Sequence, residues 1–79
     1  MPYITQQARA ELRSRRPQNK GELNYVITKL IMEYIEYKGL SYQNLSDAAA
    51  ALSDCRDEFY RRIIAPYEDQ AIQRNGDVF

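Results

Sequence analysis

Seven side chains stand out as able to do chemistry. Arg9, Arg13 and Arg16 step by four and three residues, which puts three guanidinium groups on one face of a helix. Tyr60, Arg61 and Arg62 set a ring beside two further guanidiniums, with Tyr67 following. Arginine forks take phosphate bidentately and tyrosine rings stack on bases. The set reads as a ligand-binding site for an anion such as a nucleotide. A chain this small cannot surround a nucleotide alone, so the site is expected at a subunit boundary. A plainer assignment competes for two of the seven. Asp57–Arg61 and Glu58–Arg62 are acid-before-base pairs four apart, each worth about 0.3–0.5 kcal/mol when exposed.

Other chemistries are poorly supplied. There is no His and one Cys, Cys55. That removes the commonest general base, the Ser-His and Cys-His nucleophiles, and a structural zinc site within one chain. Glu33 and Glu36 lack the His three residues on that a helical di-metal site uses, so they read as solvent-facing. Cys55 lies between Leu52 and Phe59 at helical spacing and reads as a small buried core residue. Asn75-Gly76-Asp77 is ordinary turn chemistry, far short of a calcium loop. The expectation is a protein that is not an enzyme and uses no cofactor or metal.

The elements that must position these residues are few. With 79 residues the chain reads as one small helical domain, burying about 60–65% of its unfolded surface. Oligomerisation is a standard remedy for so small a core. Eleven basic and eleven acidic residues cancel, yet unevenly. Residues 1–20 hold five basic against one acidic, and residues 21–79 hold six against ten. The simpler account is that the basic segment solvates itself or docks on an acidic body, its own or a neighbour's. The sharper account is an anion-binding arm.

Thr5 can cap a first helix over Gln6 to Arg16, which Pro17 ends. A second is expected from Glu22 to Lys38, with Gly39 as its left-handed C-cap. Leu23, Val26, Ile27, Leu30, Tyr34 and Tyr37 recur on it at three and four residues, and Ile31 and Ile35 widen the stripe. That is more apolar face than one partner helix needs, so part of it is expected to meet another subunit. Ser41 or Ser46 can cap the third helix. Its stripe of Leu45, Ala48, Leu52, Cys55, Phe59 and Ile63 runs in steps of 3, 4, 3, 4 and 4. Pro66 is expected to break or kink it, leaving a short helical tail closed by Asn75-Gly76. The fold class is all-α: an antiparallel pair of long helices, a short N-terminal basic helix before it and a short C-terminal helical turn after it.

Gly39 to Ser53 has the cadence of a helix-turn-helix, but its turn would be Ala-rich without Gly. The reading helix would open with Asp54, Asp57 and Glu58, which repel phosphate, so DNA is disfavoured. The opening Met1-Pro2-Tyr3-Ile4, the stretch Gly21-Glu22-Leu23-Asn24-Tyr25, and the tail Tyr60 to Asp69 with Asn75-Gly76-Asp77-Val78 resemble a family of small phage, prophage and bacterial proteins of unknown function. The resemblance implies a mobile-element setting and brings no catalytic residues. In size and helical build, though in no motif, the chain is also similar to small phage proteins that sequester cyclic nucleotide signals of bacterial defence.

The reading is therefore a non-enzymatic, phage-type homo-oligomer binding an anionic ligand, with sequestration of a nucleotide signal as its role. The alternative is a protein-interaction or inhibitor module acting on a host protein, with no small-molecule ligand. The opening residues show no charged segment followed by an apolar one, and no apolar run approaches a membrane span. A cytoplasmic setting, the host's if phage-encoded, is expected, with no membrane partner.

Overall fold

The computed structural model describes residues 4–79; Met1, Pro2 and Tyr3, part of the opening segment read as lacking a leader pattern, lie outside the described residues. Every regular element among the described residues is helical, as the all-α reading expected. The elements are α1 (Gln6–Glu11), α2 (Lys20–Lys38), α3 (Tyr42–Phe59), a π-helical turn (Tyr60–Ile64) and α4 (Ala65–Asn75). No helix among these residues is long and apolar enough to cross a membrane. By internal contacts the chain divides into two units, one ending at Leu45 and one running from Ser46 to Phe79.

In the first unit Thr5 caps α1 as expected, its hydroxyl oxygen accepting from the Ala8 N–H at 3.0 Å. The helix stops at Glu11, short of the expected Arg16. The Arg13 and Ser14 amides fall back to the carbonyls three residues earlier, and the Ser14 hydroxyl donates to the Glu11 carbonyl. Such side-chain bonds offer the backbone an alternative to helix. Pro17 therefore ends nothing, and Arg13, Arg15 and Arg16 lie beyond α1.

Asn19 caps α2, accepting from the Glu22 amide at 2.9 Å. Gly39 ends it with φ 102 and ψ 152. That is positive φ with extended ψ, not the expected left-handed helical cap, and a region essentially open only to glycine. An added Cβ would meet nothing within 4 Å, so the cost of substitution is backbone strain alone. Gly39→Ala is expected to destabilise by about 1–3 kcal/mol, read as a shift in the urea midpoint of helical circular dichroism. Past the corner Ser41 caps α3, accepting from the Asn44 amide at 3.1 Å. The Asn44 side-chain amide donates back to the Lys38 and Gly39 carbonyls at 3.3 and 2.9 Å, so one residue satisfies helix-end groups on both sides of the turn.

Burial departs most from the sequence reading. Among the described residues only Ile4, Ile35 and Ala48 are buried apolar residues. Leu23, Ile27, Leu30, Tyr34 and Tyr37, members of the stripe expected to divide between a partner helix and another subunit, are exposed. The short α1 and the turn after it cover only the side of α2 on which Glu22 is buried; Ile35, also buried, lies well round the helix from it.

In the second unit Pro66 neither breaks nor ends the helix. Its ring would strike the carbonyl four residues back, and it has no N–H. The backbone answers by widening one turn: the Ala65 amide bonds the Tyr60 carbonyl, five residues back, and Phe59, Ile64 and Ala65 all keep right-handed helical angles. A helical run thus continues from Tyr42 to Asn75. Along it Leu52, Phe59 and Ile63 are exposed. Cys55, expected to be a buried core residue, is exposed too, because no other helix of this unit covers its face.

Candidate functional site

The first unit contains a groove of about 590 Å³ between α1 with its following turn and the middle of α2. The chain reverses through Pro17 to Asn19, so residues 9–13 come to lie opposite residues 25–33. Arg9, Leu12 and Arg13 form one wall, and Tyr25, Val26, Lys29, Leu30 and Glu33 the other. Tyr25, Lys29 and Glu33 follow one another at four-residue steps and so share one face of α2. The half-buried Arg9 is oriented by its own chain, its Nη2 donating to the Ile4 carbonyl at 3.3 Å. Three cations, one carboxylate, one phenol and a short apolar floor thus meet on a single concave surface. This can hold a small anion that also carries a hydroxyl or amine for Glu33.

The wall is held up by an ion pair set apart from the groove. Arg15 reaches Glu22 with both terminal nitrogens, Nη1 to Oε1 at 2.7 Å and Nη2 to Oε2 at 3.0 Å. The Gln18 amide donates to the same Glu22 Oε1 at 3.0 Å, and Arg15 also contacts Glu11. Glu22 is 8% exposed. These donors hold its carboxyl down to about 2 from the usual 4.5, the Arg15 hydrogen bonds contributing most, then the Gln18 amide. Glu22 in return raises the pKa of the Arg15 guanidinium. This pair is missing from the sequence reading, in which Arg15 counted only toward the basic segment. The signal was present in Asn19 followed three residues on by Glu22, the spacing of a capping box. Here Glu22 turns to the amide before the cap and to the incoming arginine.

The seven expected site residues separate. Arg9 and Arg13 share the groove although only Arg9 belongs to α1. Arg16 is exposed, lines no part of the groove, and offers its backbone carbonyl to Arg15 at 3.1 Å. Arg61 and Arg62 both bind Glu58, at 2.5 and 2.6 Å. Asp57 turns instead to Arg56 at 3.6 Å. Tyr60 lines a shallow hollow with Arg56 and Asp57, and Tyr67 is exposed on α4. Tyr25, Lys29 and Glu33 are site members that sequence reasoning did not select, since only the chain reversal brings them opposite Arg9 and Arg13. Among the described residues no three His, Cys, Asp or Glu side chains are grouped to hold a metal.

The sequence matches a domain of unknown function, DUF6899, over residues 1–78, and the chain belongs to that family. No curated protein and no solved structure matches it.

Proposed function

We propose that this DUF6899 protein is a non-enzymatic, homo-oligomeric binding protein that holds an anionic ligand of nucleotide class in the α1–α2 groove. The observation that carries the reading is the convergence of Arg9, Arg13 and Lys29 with Tyr25 on one concave surface. The guanidiniums face the phosphate, Tyr25 and Leu30 offer a flat apolar wall, and Glu33 accepts from a hydroxyl of the ligand. Arg61 and Arg62, already shared by Glu58, are the weaker of the two expected clusters. In the mobile-element setting that the family resemblance implies, sequestration of a nucleotide signal of bacterial defence in the host cytoplasm is the matching role.

Calorimetric titration with mono-, di- and cyclic nucleotides at low salt tests the reading. Binding is expected to weaken as salt rises, and to fall at least tenfold when Arg9→Ala and Arg13→Ala are combined. The pair Arg61→Ala with Arg62→Ala is expected to bind as the wild type does. No heat with any nucleotide overturns the reading and leaves the host-protein inhibitor module ahead. Loss confined to the Arg61 and Arg62 variant moves the site.

A further inference from the structure

The groove of the first unit has an order along it that a plain anion site does not need. Tyr25, Lys29 and Glu33 line one wall and stand at four-residue steps on α2, about 6 Å of rise each. A ring, an ammonium and a carboxylate therefore follow one another over about 12 Å of helix. Arg9 and Arg13 face this row from the other wall, and Glu33 is the last α2 residue in the groove.

The carboxylate is not taken by the cation beside it. Lys29 precedes Glu33 by four residues, base before acid, which is the weaker order for a helical pair. Among the described residues no ion pair joins the two or involves Glu33. Glu11 with Arg15 and Glu58 with Arg62, acid before base at the same spacing, are joined. Glu33 thus stands at one end of a row of cations with its acceptor capacity open to a ligand.

Connectivity turns this order into a ligand class. In a nucleotide the sugar lies between base and phosphate. With the base against Tyr25 and the phosphate among Arg9, Arg13 and Lys29, whatever reaches Glu33 is bonded to the far side of that phosphate. A further phosphate there would meet a carboxylate of like charge. A second sugar would instead donate a hydroxyl to it. We propose, resting on the nucleotide reading of the groove, that the ligand is a phosphodiester joining two nucleosides, and that Glu33 admits it in preference to a nucleotide ending in a phosphate chain. One side chain then supplies both the attraction and the repulsion from which specificity is built. The charge agrees: three cations less one carboxylate suit a diester better than the larger charge of a di- or triphosphate.

Calorimetry at low salt tests this with three probes, each in adenosine and in guanosine form. They are a linear dinucleotide with one 3′,5′ linkage and no terminal phosphate, the cyclic dinucleotide, and the nucleoside 5′-diphosphate. A dinucleotide is expected to bind the wild type about tenfold or more tightly than the diphosphate of the same base. Either form bears out the diester, and the tighter of the two identifies which the groove takes. Glu33→Gln removes the charge and keeps an oxygen that accepts from a hydroxyl. Glu33 is exposed, so helical circular dichroism of the variant is expected to match the wild type. Its dinucleotide binding should change little, while diphosphate binding tightens until the two lie within about threefold. A diphosphate that binds the wild type as tightly as either dinucleotide overturns the inference and leaves the groove a nucleotide site. A preference that survives Glu33→Gln unchanged overturns the role given to Glu33. Heat from none of the probes overturns the nucleotide reading and this inference with it.

Discussion

Arg15→Ala is expected to release α1 from α2 and to abolish the groove. α1 has six residues, well below the roughly 12–15 at which an isolated helix holds in water. Its place is kept by the Arg15 bridge to Glu11 and Glu22. Removing the arginine leaves a buried carboxylate with only the Gln18 amide for company, and a buried charge without its partner is strongly unfavourable. Hydrogen exchange is expected to show amides of residues 8–14 losing protection to the level of an unstructured peptide. Protection within α3 should be unchanged. Nucleotide binding should vanish with α1, since Arg9 and Arg13 leave the wall.

Acid should do the same to the wild type. The Glu22 carboxyl is held at about 2 in the folded chain against an ordinary 4.5, so the unfolded form takes up the proton first. The pair's contribution is fully present above about pH 4.5 and is lost progressively as pH falls toward 2. Exchange protection of α1 measured between pH 6 and pH 2.5 should fall in that window. Glu22→Gln should flatten the dependence, and a wild-type profile already flat there contradicts the assignment.

Pro66→Ala is the second large effect, and it acts through phase. The substitution restores an N–H and removes the ring that forces the widened turn, so Tyr60 to Ile64 can return to ordinary α-helix. Removing the inserted residue turns everything after it by about 100°, the rotation of one residue in a helix. Ile63 and Tyr67 then leave the stripe, and Arg62 enters it. The expected result is equal or greater helicity, with the self-association proposed for the chain weakened at least tenfold, about 1.4 kcal/mol or more. Sedimentation of wild type and variant over the same concentration range measures it. A variant that associates as strongly as the wild type contradicts the role given to the π turn.

Local chemistry was legible where a residue acts on its neighbours. Thr5 and Ser41 cap the helices they precede, and Gly39 ends α2, because capping needs only groups within three or four residues. The last step of the third stripe, four where the alternation called for three, already carried the mark of the π turn. In the sequence alone it reads as a regular helix, because a one-residue slip looks the same as ordinary scatter until backbone bonds are seen. Charge placement was legible only in outline. The basic segment does meet an acidic residue of its own chain, but through Arg15, which spacing did not favour over its four neighbours.

The helical class, the caps and the apolar periodicity follow from the order of residues, since they depend on propensity and on contacts between near neighbours along the chain. Tertiary structure alone decided which faces those periodicities bury. Reversal at Pro17 to Asn19 set Arg9 and Arg13 against Tyr25, Lys29 and Glu33, and competition for Glu58 withdrew Arg61 and Arg62. A helix stripe states that a face is apolar; what covers it depends on elements far away in sequence. α1 is too short to cover more than one side of α2, and the second unit has nothing to lay on α3, so residues that read as core stand at the surface.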